Sequence, residues 1–167
     1  MQYPDIGQLG EDLVAQWLQS TGWIILHRRF SSRWGEIDII AQYDGKSGEP
    51  KQQSQHSALS TQHSLLAFVE VKTRSSGSWD AGGRSAITPQ KQVKISRTAG
   101  MFLAQYPEKA DYSCRFDVAI VYCQRISKNL TGVTASEEAV ATSLVAGYKF
   151  KLQEYILAAF DSSIDNG

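Results

Sequence analysis

The 167-residue sequence predicts an α/β domain, a mixed central sheet with helices packed against it. Three observations point there. Apolar residues near helical spacing open the chain. Three β-rich runs separated by turn signals follow. A capped helix then leads into a fourth, strongly β-branched run. The order is therefore helix, three strands, helix, strand and a C-terminal helix.

QLGEDLVAQWLQS (8–20) puts Leu9, Leu13, Trp17 and Leu18 on a helical stripe, and Gly22 follows as a terminating glycine. WIILHRRF (23–30) reads as the first strand and RWGEIDIIAQYDG (33–45) as the second, which ends at the turn dipeptide Asp44-Gly45. SLLAFVEVKTR (64–74) reads as the third. The Gln- and Ser-rich segment 46–64 is expected to be a flexible insertion at a hairpin tip, with His56 and His63 solvated. A glycine-rich loop (75–87) precedes Thr88 and Pro89, which suit the N-cap and first position of a helix. That helix carries Val93, Ile95, Ala99, Phe102 and Leu103 broadly on one side and Lys91, Lys94 and Arg97 on another; Pro107 ends it. SCRFDVAIVYCQRI (113–126) is the fourth strand. Residues 129–144 show no assignable pattern, YKFKLQEYILAAF (148–160) reads as ending in an amphipathic helix, and 161–167 as a frayed tail. One domain is expected over 1–160.

Composition narrows the function classes. Lys+Arg and Asp+Glu both number 17, so net charge favours neither nucleic acid nor membrane as a partner, although a balanced total can hide a basic face. No run reaches the roughly 18 apolar residues of a membrane helix. The N-terminus lacks the basic and apolar regions of a signal peptide, so a cytoplasmic location is expected. Cys114 and Cys123 lie in one predicted strand, too far apart to bridge, and are expected to be buried free thiols.

The chemistry concentrates in FVEVKTR (68–74). Side chains alternate along a strand, so Glu70 and Lys72 share one face while Val69 and Val71 take the other. In GEIDII the same alternation pairs Glu36 with Asp38 and Ile37 with Ile39. If the two strands are neighbours, Asp38 approaches Glu70 and Lys72. Two close carboxylates repel, and a divalent cation coordinating both removes the conflict. Such a cation polarises a phosphoryl oxygen and acidifies a bound water, and an adjacent lysine steadies developing negative charge. Glu11, in the first helix, is a further outer carboxylate. Glu36 reads as a solvated strand-edge residue, and Asp117 as the structural partner of Arg115.

Asp38 followed by Glu70-Val71-Lys72 resembles the PD-(D/E)XK nuclease signature. The wider frame, GEDLVAQWLQSTGWIIL, RFSSRWGEIDIIA, FVEVKTR, TPQKQVKI and RFDVAIVY in that order, resembles the YraN-type family of bacterial proteins over roughly residues 7–123. That family is similar to Holliday-junction resolvases. The resemblance implies a restriction-endonuclease-like core and a metal-dependent nuclease, with DNA the expected substrate. It implies Asp38, Glu70 and Glu11 as ligands of Mg²⁺ (or Mn²⁺) and Lys72 as the catalytic lysine. Gln90 and Lys91 fall where related nucleases place a polar residue near the site or the backbone phosphate. The sequence departs from the pattern in having Ile37 in place of a proline before Asp38, Arg29 where an asparagine is usual, and a longer 46–64 segment.

Arg33, Arg74, Gln90, Lys91 and Lys94 are the expected nucleic-acid contacts, with Arg28, Arg29, Arg84 and Arg97 also flanking the site in sequence. Trp34 and Trp79 offer rings that suit stacking on an unpaired base, with core or rim packing as the plainer role. Resolvase-like proteins act as dimers on two-fold junctions, so the resemblance admits a homodimer. Two rival functions stand beside the nuclease: a noncatalytic nucleic-acid-binding or adaptor module on the same fold, and a protein-interaction subunit using 46–64.

Overall fold

The computed structural model describes residues 4–45, 64–75, 87–126 and 139–161. Helix α1 (Ile6–Ser20) begins at Asp5, whose side chain accepts the Gln8 N–H, and ends where Gly22, at φ 99°, lets the Trp23 N–H return to the Leu18 carbonyl. Strands β1 (Ile24–Ser32), β2 (Gly35–Tyr43) and β3 (Leu65–Ser75) follow, each antiparallel to the last. Helix α2 (Pro89–Gln105) is capped by the Thr88 hydroxyl, which accepts the Lys91 N–H, and leads through a 3₁₀ turn (Pro107–Lys109) to β4 (Ser113–Arg125). Strand β4 runs parallel to β3, as a helical crossover allows. Strands β5 (Ala141–Val145) and β6 (Tyr148–Phe160) complete a six-stranded mixed sheet in the order β1-β2-β3-β4-β6-β5.

The two helices cover opposite faces. Leu13, Val14 and Leu18 of α1 pack on Ile39, Ala67, Val69, Val121 and Leu152. Ile95, Ala99 and Phe102 of α2 pack on Ile37, Ile40, Leu66, Phe68 and Ile120. This helix–sheet–helix layering is consistent with a restriction-endonuclease-like core. Among the described residues no helix is long and apolar enough to cross a membrane.

Three expectations are corrected. Residues 148–160 form a strand, not a helix. Phe150 and Leu152 are fully buried between more exposed neighbours, a period of two, and the ladder of β4 requires a partner on that side. The turn Ala146-Gly147, with both residues at positive φ, joins β5 to β6 as a tight hairpin loop does. Second, Ile37 and Ile39 do not share a face: Ile37 packs with α2 and Ile39 with α1. On β1 the same break appears, since His27 and Phe30, three residues apart, both touch Phe102. Arg29 sits there at φ 54°, and because both strands break together their pairing stays in register (Arg28↔Ile39, Phe30↔Ile37). Third, Cys123 is buried as expected but Cys114 is exposed; both are free thiols. Residues His56, His63, Trp79 and Arg84, and all but Ser64 of the 46–64 segment, lie outside the described residues.

Candidate active site

Strand β3 carries the site because its two faces differ. Val69 faces the α1 core, while Glu70 and Lys72 point toward α2 with Phe68, as the alternation requires. Ladder pairing of β2 with β3 ends at Ile39↔Val69. Just beyond, the Asp38 carboxylate accepts the Val71 N–H at 2.8 Å, which holds Asp38 beside Glu70. The break in β2 between Ile37 and Ile40 is what aims Asp38 across at its neighbour.

Glu70 is 6% exposed. Its Oε1 faces two ammonium groups, Lys91 from α2 at 2.5 Å and Lys72 at 3.7 Å. Its Oε2 is buried without a hydrogen-bond donor among the described residues. A buried carboxylate oxygen without a hydrogen-bond donor is costly, and a cation beside it would relieve that cost. Asp38 faces the same demand: its pKa is pushed up to about 8, by burial first and by the Glu70 charge second, with the Val71 N–H opposing. A contact between two carboxyl groups needs a shared proton, and a divalent cation replaces that proton. The donors are oxygens only, which suits a hard cation.

The lysines differ from each other. The Lys72 pKa is lowered, by burial first and then by the Lys91 ammonium, against the pull of Glu70 and Asp38. Burial is the largest single effect and lowers that of Lys91 too, but hydrogen bonding to Glu70 and Lys72 together with the Glu70 and Asp38 charges outweighs it, and the net shift is upward. Lys72 is thus the easier of the two to deprotonate.

Glu11 reaches the neighbourhood but not the pair. It is 8% exposed, and its carboxylate is taken by Arg29 Nε at 3.0 Å, with Arg28 at 3.6 Å. It raises the Asp38 pKa through space. Among the described residues no three acidic, His or Cys side chains converge as a ready metal cage. Gly10 brings Glu11 this close: a Cβ there would collide with Thr73 Oγ1 of β3. Arg29 holds φ 54°, a region that asparagine tolerates better than most residues.

The expected nucleic-acid contacts divide. Lys91 belongs to the carboxylate cluster itself, which sequence spacing did not reveal. Lys94 lies exposed one helical turn on, its Cβ against Gly35 in the β1–β2 turn. Arg33 in that turn lies over the Trp34 ring at 4.6 Å, and Arg97 of α2 over the same ring at 4.4 Å. The Ser32–Thr98 hydroxyl pair at 2.8 Å pins the turn to α2. Gln90 is exposed in the first turn of α2, and Arg74 is half-buried toward the end of β3. Glu36 is exposed, as expected, and is bonded by Ser31. Asp117 is a structural residue: fully buried, it accepts from Arg115 Nε at 2.8 Å and NH2 at 3.0 Å, Tyr155 OH at 2.8 Å and the Ala158 N–H at 3.0 Å. Burial and then the Asp117 charge push the Tyr155 pKa up.

Residues 10–121 match the sequence profile of the family described as "Uncharacterised protein family UPF0102". The chain belongs to this family. The UPF0102 protein of Trichormus variabilis is 58% identical over 165 residues, covering 99% of this chain and all of the relative. A UPF0102 protein of Trichodesmium erythraeum is 43% identical, covering 96% of this chain and 91% of its own. That of a Synechocystis species is 40% identical, covering 93% and 97%. The UPF0102 match spans Glu11, Asp38, Glu70, Lys72 and Lys91 together. The family description names no activity, so function rests on the chemistry of the cluster.

Proposed function

We propose that this UPF0102 protein is a metal-dependent nuclease of the PD-(D/E)XK type, with DNA as its expected substrate. The observation that carries this reading is the buried Glu70 Oε2, without a hydrogen-bond partner among the described residues, on a carboxylate close enough to Asp38 to raise its pKa, with Lys72 on the same strand face. Asp38 and Glu70 would hold Mg²⁺ (or Mn²⁺). When bound, the cation supplies Lewis-acid polarisation of the phosphate and a more acidic water. Lys72, with its lowered pKa, is suited to orient the attacking water and take its proton. The water oxygen bonds to phosphorus as the bond to the leaving sugar oxygen breaks, and solvent protonates that oxygen. Glu11 acts through charge as an outer acid, restrained by Arg28 and Arg29.

A basic stripe supports nucleic acid as the partner. Lys91, Lys94 and Arg97 climb α2 from the carboxylate cluster to the β1–β2 turn, where Trp34 holds Arg33 and Arg97. At 1.5 Å per residue the stripe spans about 9 Å, enough to follow about two or three phosphates of one strand.

The rival reading, a noncatalytic nucleic-acid-binding module, is favoured by the Lys91–Glu70 pair, which already neutralises part of the acidic charge. A calorimetric titration of Mg²⁺ and Mn²⁺ into wild type and Glu70→Ala separates the two. The nuclease reading expects wild type to bind a cation and the variant to lose it. Absence of binding by wild type counts against catalysis.

A further inference from the structure

The Lys91 ammonium lies directly on Glu70 Oε1, closer than Lys72 at 3.7 Å, although Lys91 belongs to another element. Glu70 is nine-tenths buried, and its second oxygen has no donor among the described residues. One oxygen of the proposed ligand is thus held by the ammonium of a side chain from another element, and the other is left for a second positive group. We propose that Lys91 is a built-in competitor for the metal: it occupies Glu70 before the cation arrives, and transfers to the phosphate of the incoming nucleic acid, so that metal loading and substrate binding promote each other. The inference rests on the metal-site reading of Asp38 and Glu70.

The placement supports this role over that of a plain phosphate contact. Lys91 sits in the first turn of α2, at the end of the basic stripe, so its ammonium can exchange Glu70 for a phosphate by rotating its own side chain. Like charges held close repel, and a cation at Glu70 meets two ammonium groups unless one leaves. Both lysines have the same flexible stem, but Lys91 is the more exposed, at 37% against 24% for Lys72, and stands at the start of the basic stripe, so it is the one placed to turn toward a phosphate. The coupling is reciprocal by linkage: whatever removes Lys91 from Glu70 tightens metal binding, and bound metal frees Lys91 for phosphate.

The test is calorimetric titration of Mn²⁺, without nucleic acid, into the full chain as wild type, Lys91→Met and Lys94→Met. Circular dichroism and a thermal melt establish that each variant is folded. Loss of the competitor is expected to tighten binding by about fivefold or more in Lys91→Met, the lower end of typical coupling factors. Lys94→Met removes the same charge one turn away and should leave the affinity near that of wild type. Lys91→Arg, which keeps a cation at Glu70, should bind no tighter than wild type and is the check if Lys91→Met does not fold. Equal or weaker binding by Lys91→Met, equal tightening by Lys94→Met, or tightening by Lys91→Arg overturns the inference while leaving the metal site standing. No Mn²⁺ binding by any of the folded proteins overturns both.

Discussion

Asp38 makes the folded protein pH-sensitive in a direction opposite to that of most carboxylates. Its pKa is raised from 3.8 to about 8. Between those values the folded state holds a proton that the unfolded state has released, so stability falls as pH rises. The contribution is fully present below about 4 and is lost as pH climbs through about 8. One pKa unit corresponds to about 1.4 kcal/mol, so the two pH units from 5 to 7 cost up to about 3 kcal/mol. Asp38→Asn keeps the shape and removes the titration. The assay is urea unfolding at pH 5 and 7 in chelator, wild type beside variant, with other titrating groups cancelling in the difference. Wild type should lose up to about 3 kcal/mol more than the variant over this interval, and saturating Mg²⁺ should offset the loss by stabilising the folded form. Parallel curves for the two proteins would refute a protonated, buried Asp38.

Further predictions concern the scaffold and the basic stripe. Gly10→Ala drives a Cβ into Thr73 and should cost about 1–3 kcal/mol, seen as a Tm several degrees lower, with Thr73→Ala restoring part of it in the double variant. Asp117→Ala removes a fully buried carboxylate and strips the partner from the half-buried Arg115 and Tyr155, and should cost about 3–5 kcal/mol in chemical denaturation, far more than Glu36→Ala at the exposed edge. Arg97→Ala should weaken nucleic-acid binding and lower the salt slope by about one in fluorescence anisotropy, since one phosphate contact is removed. An unchanged slope would place the nucleic acid elsewhere.

Much of the site was legible because strand alternation is a strong rule. Glu70-Val71-Lys72 declares a polar face and an apolar face on one strand, and the fold keeps both. Thr88-Pro89 likewise marks the start of α2 within one residue. What escaped the sequence has particular physical causes. YKFKLQEYILAAF carries two overlapping periodicities, and the choice between them is made by β4, a distant strand in need of a partner. The paired break in β1 and β2 leaves register unchanged, so no local pattern marks it except Arg29, whose backbone strain is invisible in a side-chain code. The resemblance puts Lys91 near the site or the backbone phosphate, but its pairing with Glu70 is set by the crossover that lays α2 over β3 and has no local signal. Ala158, at φ 48° where the β4–β6 pairing shifts register between Phe116↔Phe160 and Val118↔Ile156, turns its N–H toward Asp117, a buried charge 41 residues earlier, with no local signal.

Asp38, Glu70 and Lys72 are proposed to cut a nucleic-acid phosphodiester bond together. The most direct measurement incubates the purified protein with end-labelled four-way junction, flap, single-stranded and duplex DNA in Mg²⁺ or Mn²⁺, beside Asp38→Asn, Glu70→Gln and Lys72→Ala. Wild type should show metal-dependent cleavage of at least one substrate, abolished by chelator and reduced about 100-fold or more in each variant, the scale on which single catalytic groups act. Cleavage that persists undiminished in the variants, or no cleavage by a wild type that binds both metal and DNA, would contradict this joint role.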